Sequence, residues 1–285
     1  MKVLVTGVNG QLGHDVMKWL EINHHEGIGA DVSDMDLTSE QAVSDFVLAQ
    51  KPDAIIHCAA YTAVDRAEEE VGMCRAVNVL GTQYLAQCAA KLDIKMVYIS
   101  TDYVFSGEGD QPFLEDDLKA PQNVYGQSKL DGELKVQELL KKYFIVRISW
   151  AFGVNGQNFV KTMLKLGKER STLSVVDDQV GSPTYTDDAA KLLVSMIETE
   201  KYGVYHATNQ GYCSWYEFAI EIFKQAKIDV EVVPVNSETF FTKASRPKNS
   251  RLSPQHLIRQ GFDVLPTWQD ALSRYMIELD KEEAL

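Results

Sequence analysis

Tyr125 and Lys129 lie four residues apart in the run Asn123-Val124-Tyr125-Gly126-Gln127-Ser128-Lys129. On a helix that spacing puts both side chains on one face. A tyrosine hydroxyl, with a pKa of about 10, is poorly matched to acid/base work at neutral pH. A lysine ammonium beside it would stabilise the tyrosinate and lower that pKa, and it could also hydrogen-bond a cofactor ribose. The spacing alone usually just decorates a helix face, so its meaning depends on what precedes it.

Far upstream lies Thr6-Gly7-Val8-Asn9-Gly10-Gln11-Leu12-Gly13. Gly7, Gly10 and Gly13 give a G-x-x-G-x-x-G turn after a strand-like run. Such a turn lets backbone approach a pyrophosphate with no Cβ in the way. The helix that follows offers unpaired N–H groups and a positive dipole end. The same glycines could serve only to pack a helix closely. Between the two motifs, Ser100-Thr101-Asp102-Tyr103-Val104-Phe105-Ser106-Gly107 begins where a strand should end, the position at which open α/β sheets bind ligands. Thr101 could present its hydroxyl to a carbonyl oxygen, and Asp102 could bind sugar hydroxyls or cap the loop. Asp31 falls at about the distance beyond the glycine loop where an acid meets a ribose 2′-hydroxyl. No lysine or arginine stands near it in sequence, so NADH is favoured over NADPH. Asp36 and Leu37 are a second candidate pair for the adenosine half.

These residues need a frame. Residues 2–6, 54–58, 96–100 and 144–148 read as buried strands, and residues 11–21, 73–91 and 125–142 as helices between them. Residues 27–31 could end a further strand. Strands alternating with helices predict βαβ units and a Rossmann-type, doubly wound parallel sheet. Beyond residue 150 the pattern loosens. Helices are expected over 158–168, 186–198 and 215–226, and strands over 203–207 and 230–235. The expectation is a dinucleotide-binding domain over 1–150 and a smaller, intimately packed C-terminal region over 151–285 that mainly binds substrate, with some segments returning to the first domain.

The chain of 285 residues is long enough for a large core, with 45% hydrophobic and 24% charged residues. A net charge of −13 argues against nucleic acid or an anionic membrane as partner. Cys58, Cys74, Cys88 and Cys213 have no metal-ligand spacing and read as reduced structural thiols. No metal is expected. No long apolar run suggests a signal peptide or membrane span, so a cytoplasmic protein is the default. His57 and His206 lie in strand-like runs and read as structural.

Taken together, the glycine loop, Ala59-Ala60-Tyr61-Thr62, the Ser100–Phe105 loop and the Tyr125/Lys129 run resemble the extended short-chain dehydrogenase/reductases. Arg147-Ile148-Ser149-Trp150, residues 158–163, residues 178–184 and residues 244–252 narrow the resemblance to the family of dTDP-4-dehydrorhamnose reductases. That resemblance implies NADH or NADPH as cofactor and a dTDP-linked 4-keto-6-deoxy sugar as substrate, its C4 ketone being reduced. It places Gly10, Gln11 and Leu12 on the pyrophosphate, Asp31, Asp36 and Leu37 about the adenosine, and Ala60, Tyr61 and Thr62 along the cofactor's other side. Thr101, Tyr125 and Lys129 form the catalytic triad, and Asp102 and Trp150 meet the sugar nucleotide. Trp150 could instead be core. Arg246 and Arg251 suit a diphosphate or an anchoring role. Alternatives are a reductase of another nucleotide-linked 4-keto-6-deoxyhexose and a cofactor-binding regulatory subunit resembling the methionine adenosyltransferase beta subunit. A homodimer is compatible with all of these.

Overall fold

The structure, a computed structural model, describes residues 1–283. Five strands, β1 (Lys2–Thr6), β2 (Glu26–Ala30), β3 (Ala54–His57), β4 (Lys95–Thr101) and β5 (Tyr143–Ile148), join Gly203–His206 in one six-stranded sheet. Every pairing in it is parallel, in the order Gly203–His206, β5, β4, β3, β1, β2. This is the expected doubly wound α/β fold. The sequence dictates it because Val3, Leu4, Val5, Ile55, Ile56 and Val97 are fully buried, as strands covered by helices on both faces must be.

One face is covered by α1 (Gln11–Ile22) and the helix Thr186–Ile197, which share a core with Val3, Val5, Val97 and Val146. Helices Glu40–Gln50, Thr82–Leu92 and Val124–Leu139 cover the other face around Leu4, Ile55, Tyr98 and Ile145. From β1 the chain runs to β2 on one side, then crosses to β3 on the other. The order therefore reverses between β1 and β3, where a crevice opens at the strands' carboxyl ends.

The remaining residues build a second apolar cluster around Phe152, Tyr185, Phe218 and Tyr275. It holds the helices Phe159–Glu169, Trp215–Ala226 and Trp268–Glu283 and the parallel strand pair Thr172–Val176 with Glu231–Val235. Two expectations shift. The helix foreseen over residues 73–91 is three pieces, Val71–Arg75, a π-helical turn at Ala76–Gly81, and Thr82–Leu92. At Gly81 a Cβ would come within 2.9 Å of the Leu37 carbonyl. Inside the π turn, Asn78 accepts from the Tyr61 N–H at 2.7 Å and donates to the Ser128 hydroxyl at 2.9 Å. Glu40–Gln50, Thr172–Val176 and Trp268–Glu283 were not foreseen.

Candidate active site

The glycine loop sits at the reversal between β1 and β3. Gly7 has φ +72°, and a Cβ there would lie 2.8 Å from the Ala59 backbone. At Gly13 a Cβ would meet the Gly7 carbonyl oxygen at 2.2 Å. Both positions demand glycine, so the loop can press α1 and the Ala59 segment together. It forms one end of a cavity of about 970 Å³ that runs along the carboxyl ends of the strands. Gly7, Gly10, Gln11, Leu12, Gly13, Asp31, Asp36, Leu37, Ala60, Thr62, Thr101, Asp102, Tyr125, Lys129 and Trp150 all line it. Tyr61 is the exception. Its hydroxyl donates to Glu70 at 2.6 Å, so the ring turns away between two residues that do face the cavity.

At the adenosine end, Asp31 accepts from the Asn9 N–H at 3.0 Å and from the Val32 N–H at 2.8 Å. Asp36 takes two hydrogen bonds from Thr38, hydroxyl first, and these hold its carboxyl below the usual range. Lys129, at the far end, is the sole lysine or arginine among the lining residues.

The catalytic corner is built by a helix start. Asn123 caps Val124–Leu139, its side chain accepting from the Gly126 N–H at 2.7 Å, which is typically worth about 1 kcal/mol. At Gly126 a Cβ would strike the Tyr103 carbonyl at 2.3 Å, so glycine lets the helix press on the turn Asp102–Val104. Tyr125 is thereby brought onto the same stretch of cavity wall as Thr101, close enough for the two side chains to act on each other. Thr101 also donates to Asp102 at 3.0 Å.

Water exclusion sets the charges here. Lysine was expected to lower the Tyr125 pKa, but burial disfavours the phenolate and raises it above its ordinary value, and the group that opposes the rise is the Thr101 side chain rather than Lys129. A tyrosine shifted in this direction stays protonated at neutral pH. Burial pushes the Lys129 ammonium down to about 7, against the pull of Glu133 one turn along the helix. Its Nζ lies 4.1 Å from the Tyr98 ring centroid. Asp102 is pushed up to about 6, again by burial, with hydroxyls of Ser250 and Thr101 opposing. Its Oδ2 has no partner within hydrogen-bonding distance.

Sequence reasoning missed the support beneath this corner. Arg147 grips Glu133 through Nε at 2.8 Å and Nη2 at 2.7 Å, and Ser100 donates to the same carboxylate at 2.5 Å. It missed the fastening of the glycine loop as well. Gln11 Oε1 accepts from the Gly153 N–H at 2.8 Å and from Asn158 at 3.0 Å, and Asn155 donates to the Asn9 carbonyl at 2.9 Å. The polar turn 153–158 ahead of a helix was the one available signal. His57 is held between the Thr6 and Thr82 hydroxyls, and burial drives it down to about 3, so it is neutral.

Trp150 both lines the cavity and packs into the second cluster. Its φ of +49° lies in the left-handed region, at a typical cost of about 1–3 kcal/mol for a non-glycine residue. Arg246 pairs with Asp65 at 2.7 Å, and Arg251 donates to Asn249 at 3.0 Å. Among the described residues no group of three or more His, Cys, Asp or Glu is arranged to hold a metal, and no helix is long and apolar enough to cross a membrane.

Residues 1–281 match the family described as RmlD substrate binding domain. The chain is 44% identical to the dTDP-4-dehydrorhamnose reductase of Aggregatibacter actinomycetemcomitans, over 95% of this chain and 97% of that one. A solved dTDP-4-dehydrorhamnose reductase from Clostridium acetobutylicum superposes with a TM-score of 0.96 at 45% identity, covering 98% of this chain and 100% of the other. Another, from Bacillus anthracis in complex with NADP, gives 0.95 at 45% identity, with 97% and 99% covered.

Proposed function

We infer that this chain, which belongs to the RmlD substrate binding domain family, is an oxidoreductase that uses NADH or NADPH to reduce the C4 ketone of dTDP-4-dehydro-β-L-rhamnose, giving dTDP-L-rhamnose. The observation that carries the chemistry is the meeting of Thr101, Tyr125 and Lys129 in the cavity that the glycine loop opens. The cavity suits a dinucleotide in its volume, in the glycine loop 7–13 that lines it, and in the acids Asp31 and Asp36 on its wall.

A reduced nicotinamide bound there would supply hydride to C4 of the sugar. Thr101 hydrogen-bonds the ketone oxygen and steadies the negative charge that develops on it. Tyr125, kept protonated by burial, gives that oxygen its proton and is left as the phenolate. Lys129 stabilises the phenolate and positions the nicotinamide ribose. Asp102 and Trp150 face the sugar, and Gly10, Gln11 and Leu12 hold the pyrophosphate. Ala60 and Thr62 flank the cofactor; Tyr61 does not reach it, its N–H and carbonyl both being held by Asn78. Asp31 and Asp36, with no cation nearby in the wall, tilt the preference toward NADH. Residues 1–150 carry the cofactor and most of 151–285 the substrate, in a cytoplasmic enzyme whose proposed assembly is a homodimer.

The test is oxidation of NADH and of NADPH by purified protein with enzymatically prepared dTDP-4-dehydro-L-rhamnose, the product identified by NMR. Formation of dTDP-L-rhamnose is expected. Cofactor binding without oxidation would remove this reading and bring forward the other ketosugars and the regulatory subunit.

A further inference from the structure

The indole of Trp150 has two faces with different neighbours. It lines the cavity, and it also stacks on Trp215, with ring centroids 3.6 Å apart and planes 12° from parallel. Trp215 is not among the residues that line the cavity. At Gly181 a Cβ would lie 2.8 Å from Trp150 Cε2, so the strand Val180–Gly181 passes the indole edge with no side chain.

Trp215 is itself fixed. It opens the helix Trp215–Ala226, whose start carries a capping box. Glu217 donates its N–H to the Ser214 hydroxyl at 3.1 Å and accepts from the Ser214 N–H at 2.8 Å. The Ser214 hydroxyl donates in turn to Asp177 at 2.6 Å. Phe159 tilts against Trp215 at 4.6 Å. The left-handed backbone at Trp150 is thus combined with a clamped ring, on a part of the wall that takes no part in proton or hydride movement.

We propose that Trp215 is a positioning residue. By stacking on the far face of Trp150, it holds that indole as a flat apolar wall, formed in advance for the ring and C6 methyl of the sugar substrate. The inference rests on the reductase reading above. Its physical basis is preorganisation: an indole that is already immobile loses no rotameric freedom when the sugar arrives, so more of the contact appears as affinity. The cofactor, held by the glycine loop, gains nothing from it.

Two variants and four measurements test this: circular dichroism, steady-state kinetics, cofactor titration and thermal unfolding. Stacked indoles give an exciton couplet in circular dichroism, and among the described residues no other pair of indoles stacks. Trp215→Leu should abolish the couplet and raise KM for the ketosugar nucleotide about tenfold, the span of a lost aromatic pair. kcat should stay within about twofold and the cofactor dissociation constant should not move. Trp215→Phe loses the couplet too, but keeps a ring against Trp150, and should hold KM within about threefold of wild type. An unchanged KM in Trp215→Leu would overturn the proposal. So would a parallel loss of KM, cofactor affinity and thermal midpoint in both variants, which marks a purely structural residue. A wild-type protein that leaves the ketosugar unreduced fails at an earlier point, the reductase reading, and the proposal falls with it.

Discussion

The two ends of the cavity contain the same kinds of groups and treat them oppositely. At the adenosine end Asp36 is exposed, and two bonds from Thr38 keep its carboxyl easily ionised. At the catalytic end Asp102 is 3% exposed and is pushed up to about 6, although hydroxyls also point at it. Hydrogen bonds decide the charge where water is present. Where water is excluded, desolvation decides it. Tyr125 and Lys129 obey the same rule as Asp102, each displaced toward its neutral form.

The strongest challenge to this contrast is Tyr125→Phe. It removes the proposed proton donor while leaving the ring that packs edge-on to Tyr103. kcat for ketosugar reduction should fall by about a hundredfold or more, with cofactor affinity retained in a fluorescence titration. Wild-type turnover would show that the buried hydroxyl is a bystander.

A smaller effect concerns stability rather than rate. The lysine titrates near 10.5 when unfolded and at about 7 when folded without ligand. Between those values the unfolded chain binds the extra proton, so stability should rise with pH across that window, and the cost of burial is complete below it. Lys129→Met removes the cost. The variant should therefore gain on the order of a few kcal/mol over wild type at pH 6, a gain that shrinks steadily toward pH 10, as read by denaturant unfolding of cofactor-free protein. An equal gain at both pH values would mean that the lysine finds enough water or countercharge to stay charged. The same substitution that stabilises the fold should disable the enzyme, because the site holds a charge the fold would rather exclude.

The smallest expected effect lies at the wet end. Asp31→Ala should shift the ratio of kcat/KM for NADPH over NADH upward by about two- to fivefold, the scale of an exposed charge pair. Steady-state kinetics with both cofactors would show it. No change would mean that the Asp31 carboxylate, tied to the Asn9 and Val32 amides, never confronts a 2′-phosphate.

The first half of the molecule was legible because periodicity is a local signal. Val3 to Val5 and Ile55 to Ile56 announce buried strands, and the glycines and Tyr125/Lys129 stand where those strands end. The break at Ala76–Gly81 was not legible, since its contacts are Leu37, Tyr61 and Ser128, all outside the helix. Nor was the sign of the Tyr125 shift. A spacing of four says two groups are neighbours, but not how much water surrounds them. Trp150 and Trp215 meet at a sequence separation of 65, and Gln11 meets Asn158 at a separation of 147. Single-residue patterns carry no trace of such pairings.

The strand Gly203–His206 gives the seam near residue 150 a practical meaning. It pairs in parallel with β5 from Phe144 to Arg147, and the helix just before it, Thr186–Ile197, covers one face of the sheet. A fragment that stopped at residue 150 would carry β5 as a bare, apolar outer strand, with Phe144 and Val146 stripped of their cover. Such an edge templates pairing between chains. Truncation at the boundary that looks natural in the sequence is thus a recipe for inclusion bodies, and anyone grafting a new substrate region onto this cofactor half must bring the returning strand and its helix along.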